Sequence, residues 1–206
     1  MKLYVSPRAP NPRRVTLFIA EKGIEGIELV NVDLGAAEHF GAEFRARSPL
    51  SKVPVLQLDD GRYLSESRAI CGYLEGLHPQ PNLMGEGFEE RAFIEMHDRR
   101  AEWYWLLPIA NAVRHTHPGL AALEQPQFPD FGHSQAHKLR ESARWLDDTL
   151  AKQPWIAGAR FTIADITAFC AIEFARLIKF NAGAEGFAAL QAWRDRVAER
   201  PSAKAW

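Results

Sequence analysis

SKVPVLQLDDGRYLSESRAI, residues 51–70, sets a proline in what otherwise reads as a buried strand, Val53–Leu58. Proline donates no ladder hydrogen bond, so it belongs at a strand start, an edge or a bulge. The turn Asp59-Asp60-Gly61 follows, then a short return strand over Arg62–Leu64, which makes a hairpin. Next comes a helix with Ile70, Tyr73, Leu74 and Leu77 at i, i+3, i+4, i+7 spacing. The strand pattern alone leaves two readings of Pro54: an ordinary edge position, or a deliberate break in the ladder.

Working outward, Lys2–Ser6 reads as a strand and PRAPNP as a loop, with a helix over Arg13–Lys22 stopped by Gly23. A second strand spans Ile27–Val32, a helical segment runs near Glu38–Ala46, and Ser48-Pro49 breaks the chain. The order β-α-β-α-β-β-α predicts a parallel pair in the first β-α-β unit. Beyond HPQPNLMGEG (78–87), a linker by composition, strand signals fade. Amphipathic helices are expected near 86–116, 133–151, 163–181 and 187–199. Thr162 with Asp165 resembles a capping box, flanked by Phe161 and Ile166 as a hydrophobic staple. The expected organisation is an α/β domain, 1–78, followed by an all-α helical bundle, 86–206.

The 206 residues carry a net charge of −1, with 47% hydrophobic and 25% charged side chains. Those values are ordinary for a globular protein and offer no general attraction to nucleic acid or an anionic membrane. Arg13-Arg14 and Arg99-Arg100 read as solvated helix faces. The start of the chain runs straight into a strand pattern with no signal-peptide core, and no apolar run of about 18 residues exists. Cys71 and Cys170 stand alone and far apart, outside any CxxC. A cytoplasmic protein that binds neither nucleic acid nor membrane is expected.

The strand and helix order of the first domain resembles the thioredoxin-like arrangement, in which the bond before the third-strand proline is cis. That geometry frees the main chain of Val53 to pair with an extended peptide ligand, making Pro54 a ligand edge. Ser65 is read as the cap of the next helix, whose N-terminal N–H groups and dipole favour a carboxylate near Glu66 and Ser67. Glu66 would pair with an ammonium beside that carboxylate. A peptide with an α-amino acid at one end fits all three positions, and glutathione is such a ligand. Ordinary capping is the alternative for Glu66 and Ser67.

SPRAPNPRRVTLFIAEKGI (6–24), the 51–70 block and WIAGARFTIADITAFCAI (155–172) together resemble the cytosolic glutathione S-transferase family over essentially the whole chain. The chain is most similar to its bacterial and fungal Gtt-type subgroup. The resemblance implies glutathione as co-substrate, a hydrophobic electrophile as second substrate and a homodimer. It also implies Val53 at the cysteinyl part, Glu66 and Ser67 at the γ-glutamyl end, and Lys52 and His39 at the glycyl carboxylate. For Lys52 and His39 the alternative is plain exposed polarity. Asp165 falls where the family keeps a fold-stabilising cap.

Transfer requires the glutathione thiolate, so a donor should face the sulfur. Where several classes of the family place serine or cysteine, this chain has Ala9. Asn11, read as lying two residues before the first helix, is a candidate donor or a plain turn residue. Ser6 suits a strand end and Tyr4 the core. Asn111 and His115, one turn apart, are candidates for holding a water near the sulfur, with a structural histidine as the alternative. Trp103, Tyr104, Trp105, Leu107, Phe174 and Ile178 are candidate apolar walls for the electrophile. Two rivals stand beside the transferase: a glutathione-dependent disulfide reductase, and a non-catalytic binding or stress protein. His115-x-His117 and His133-x₃-His137 lack an acidic partner pattern, so no metal site is expected.

Overall fold

The computed structural model describes residues 1–7 and 9–204. It divides into two compact units, Met1–Asn82 joined by the turn from Pro201 onward, and Leu83–Arg200. In the first unit, β1 (Lys2–Val5), β2 (Glu28–Asn31), β3 (Val55–Gln57) and β4 (Tyr63–Ser65) form one sheet in the order β2-β1-β3-β4. β1 pairs parallel with β2, and the β1–β3 and β3–β4 pairs are antiparallel. Tyr4 stands opposite Val55 and Leu3 opposite Leu56, so strand alternation sends these pairs to opposite faces. Tyr4 and Val55 cluster with Val32 and with Phe44 of α2 (Ala42–Arg47).

α1 (Pro10–Lys22) packs against α3 (Ser67–Leu77). α1 closes at Gly23, whose φ of 59° is the left-handed geometry glycine adopts most cheaply, and Ile24 N–H reaches back to the Ile19 carbonyl at 3.1 Å. The ammonium of Lys22 is buried between Glu75 of α3, at 2.6 Å, and the Pro81 carbonyl, at 2.7 Å. That clamp ties α1, α3 and the start of the linker together. The C-terminal turn α9 (Pro201–Lys204) also lies on α1: Arg13 donates to the Ala203 carbonyl at 3.5 Å, and the Ser202 hydroxyl bonds Glu21.

The second unit is all helical. α4 (Gly87–Arg100) and α5 (Leu107–Thr116) are joined by a π-helical segment, Ala101–Leu106. α6 (Pro129–Leu150), α7 (Ile163–Ala175) and α8 (Ala188–Ala198) follow. α7 is buried without interruption from Ile163 to Ile172, the mark of a helix at the centre of a bundle. Its capping box is complete, with Thr162 N–H donating to Asp165 at 3.0 Å. Asp165 also accepts from Ile156 N–H at 3.0 Å and from the Trp193 indole at 2.9 Å, which pins α8 and the preceding loop to α7.

Four local expectations are corrected. β3 begins at Val55, so Pro54 precedes the strand, while the Val53–Pro54 bond is cis as the resemblance implies. Ser65 closes β4 and is no helix cap; Glu66 holds that position. Asn11 lies inside the first turn of α1, because Pro10 starts the helix earlier than the apolar periodicity indicates. Arg14 is fully buried, so this half of the Arg13-Arg14 pair is not a solvated face.

Candidate functional site

Within the first unit, three loops carry the residues singled out for a peptide ligand. Each contains a non-glycine residue at positive φ: Ala37 (60°), Ser51 (54°) and Glu66 (69°). Such backbone is costly and persists where the surroundings enforce it, often at ligand sites.

Around Pro54, Ser48 Oγ accepts from Lys52 N–H at 3.0 Å and donates to the Lys52 carbonyl at 2.9 Å. One hydroxyl therefore satisfies both main-chain groups of Lys52. Val53 lies outside the β3 ladder, and its N–H and C=O make no main-chain bond among the described residues. These are the groups an extended peptide would pair with.

At the start of α3, the Glu66 side chain is exposed and makes no hydrogen bond to any described residue. Ser67 is buried, and its Oγ accepts from the Arg14 guanidinium at 3.1 Å. A hydroxyl that accepts from arginine still has its own O–H to donate. Together with the Ser67 N–H at N1 of the helix, it offers two donors to a carboxylate, beside a carboxylate of Glu66 for an ammonium. Arg14 was missed as a site residue. Its signal was its spacing, since it shares a helix face with the buried Leu17 and Phe18 three and four residues on.

His39 sits on a 3₁₀ turn, Glu38–Phe40, with only 6% of its surface exposed, which goes against the alternative reading of plain exposed polarity. Its ring packs on Phe40 with centroids 3.9 Å apart, and its Nδ1 is buried without a hydrogen-bond partner among the described residues. Burial, and secondly the positive charge of Lys52, hold its pKa below the usual histidine value. Of the two residues read for the glycyl carboxylate, Lys52 thus acts on His39.

Among the described residues, the first turn of α1 has one main-chain donor without a partner. Ala9 N–H bonds the Ser6 carbonyl at 3.1 Å and Arg13 N–H bonds the Ala9 carbonyl at 3.3 Å. Pro10 and Pro12 have no N–H, which leaves Asn11 with an N–H that bonds no described residue and an exposed carboxamide at the positive end of the helix. Tyr4 is committed to the core: its hydroxyl bonds Gln57 at 3.1 Å, and Arg47 lies over its ring.

In the second unit, Asn111 is half-buried on α5 and makes no hydrogen bond to a described residue. His115 is engaged: its Nδ1 accepts from Phe128 N–H at 3.1 Å, its Nε2 lies 3.9 Å from Glu124, and its ring packs edge-on to Phe131. Gly132 permits this close approach of α5 and α6, for a Cβ there would meet Thr116 at 2.6 Å. Trp105 is no pocket wall; it is fully buried, with its indole on the Ala168 carbonyl at 3.1 Å. Trp103, Tyr104 and Leu107 are exposed, and Phe174 and Ile178 half-buried.

A mixed four-stranded, thioredoxin-like domain followed by an all-helical domain defines the fold class. Comparison narrows this class. The model of the glutathione S-transferase N-terminal domain matches residues 3–82, and that of the C-terminal domain matches 133–201. Glutathione S-transferase 2 of Saccharomyces cerevisiae is 35% identical across 99% of this chain and 88% of its own length. The crystal structure of Gtt2 from Saccharomyces cerevisiae superposes with a TM-score of 0.93 at 35% identity, covering 99% of both chains. A glutathione S-transferase domain-containing protein of Marinobacter aquaeolei VT8 does so with a TM-score of 0.91 at 39% identity, covering 98% of this chain and 99% of its own. The chain belongs to the glutathione S-transferase family. It is a glutathione transferase with glutathione as co-substrate.

Proposed function

We propose that the chain activates the thiol of glutathione for attack on a hydrophobic electrophile, and that the first unit holds the peptide as follows. Glu66 takes the γ-glutamyl ammonium, and Ser67 takes the neighbouring carboxylate. Val53, held at Pro54, pairs with the cysteinyl main chain, and Lys52 with His39 takes the glycyl carboxylate. The observation that carries this reading is the set of uncommitted groups just described. Val53 main chain, Glu66 carboxylate, Ser67 O–H and the open edge of the His39 ring are the groups a zwitterionic peptide requires.

Asn11 is the proposed donor to the sulfur, because its N–H and carboxamide stand at the positive end of α1. His115 supports this choice indirectly, since both its ring nitrogens already face partners in its own unit. Asn111 remains a candidate for holding a water. The reading includes a homodimer and a cytoplasmic, detoxifying role; the two buried, unbridged cysteines suit that compartment. Light scattering should return a mass near twice 23.2 kDa, and the single-chain value would reject the dimer.

The binding reading is tested by steady-state conjugation of glutathione to 1-chloro-2,4-dinitrobenzene. Glu66→Ala should raise the KM for glutathione about tenfold, the loss of one charge-assisted bond, with kcat changed far less. An unchanged KM would refute Glu66 as the ammonium partner.

A further inference from the structure

Resting on the glutathione reading above, we propose that His39 takes up a proton from solvent when the glycyl carboxylate binds beside Lys52. His39 is a nearly fully buried imidazole whose Nδ1 faces no partner among the described residues. Nδ1 is closed to solvent, so a ligand reaches the ring at Nε2, which also makes no hydrogen bond to a described residue, and a bound carboxylate is the acceptor it lacks. Without ligand, burial and the nearby Lys52 ammonium both oppose a second positive charge, so the ring is neutral near pH 7.

The other charges around the ring are accounted for. On its own turn, Glu38 accepts from Asp33 N–H at 2.7 Å, and Asp33 accepts from Gly35 and Ala36 N–H at 2.8 and 3.0 Å. On α2, which packs against the turn, Glu43 and Arg47 pair with each other at 2.5 Å and Arg45 is exposed. Lys52 is the charge that acts on the ring. A carboxylate bound there offsets both opposing causes: it neutralises the field of Lys52, and by accepting from Nε2–H it makes up for the solvation that burial removes. The proton passes from water or buffer to the imidazole, the carboxylate stays ionised, and no other bond changes. By linkage, affinity then falls as pH rises from 6 to 8.

The test is titration calorimetry with S-methylglutathione, which has no thiol to ionise, at pH 7 in phosphate and in Tris. The observed heat should differ between the buffers by the difference in their ionisation enthalpies times a sizeable fraction of one proton taken up per site. His39→Gln should bind about tenfold more weakly, with that difference abolished. Wild-type binding with no buffer dependence, or uptake that persists in His39→Gln, would overturn the proton step and leave the glutathione site standing. No binding heat in wild type would overturn both. A wild-type affinity that does not fall between pH 6 and 8 contradicts the proposal without recourse to any variant.

Discussion

Asn11 stands between two prolines, and that local arrangement decides what α1 can offer a thiolate. Proline at the first and third helical positions costs nothing to helix hydrogen bonding, because those N–H groups would have no intrahelical partner. It also strips the helix end of competing donors, so the positive end of α1 is concentrated at the Asn11 N–H and carboxamide. Asn11→Ala keeps the main-chain N–H and the dipole and removes only the carboxamide. Its expected effect on the bound thiol is therefore a partial return toward the free pKa. Ala9 was legible in the sequence as the missing side-chain donor, and Asn11 as its neighbour. The helix boundary was not, because the apolar periodicity begins only after the prolines. Arg14 was obscured for a different reason: its charge suggests a solvated face, whereas its place beside Leu17 and Phe18 marks the buried one.

At the scale of elements, α7 is the clearest case of sequence speaking directly. The residues FTIAD carried the capping box, and the structure completes it with Asp165 at the junction of α7, α8 and the loop at Ile156. Burial pushes the Asp165 carboxyl up to about 6 from an unfolded value near 3.8, although four donors pull the other way. Between those values the folded state holds a proton that the unfolded state has lost, so this group's contribution to stability diminishes as pH rises through the window. The change is on the order of 3 kcal/mol. Asp165→Asn presents an amide N–H₂ to Thr162 N–H and lacks the titration. Urea unfolding of both proteins between pH 4 and 7 should therefore show the wild-type advantage greatest near pH 4 and shrinking toward pH 7. An advantage that grows with pH would mean that the four donors outweigh burial. The π-helical segment at Ala101–Leu106 had no such signal, for it interrupts neither the apolar spacing nor the helical propensity of α4 and α5.

At the scale of the molecule, the order of strands and helices was readable from punctuation by proline and glycine, and so was the change of grammar across the linker at residues 78–87. What sequence could not show is where the last residues go. α9 is helical and short, so nothing in its composition says that it packs on α1 of the first unit. Nor could sequence show which polar groups the fold leaves unspent, since Val53, Glu66, Ser67 and His39 are distinguished from other polar positions by the partners they lack. Those unspent groups, with the donors of Asn11, carry the central claim that the first unit holds glutathione with its thiol poised as thiolate. The most direct test is the ultraviolet thiolate band of glutathione bound to the wild-type protein, followed against pH with Asn11→Ala alongside. A bound thiol that ionises well below free glutathione, and moves part of the way back in the variant, is the predicted result. A bound thiol that titrates like the free peptide would contradict it.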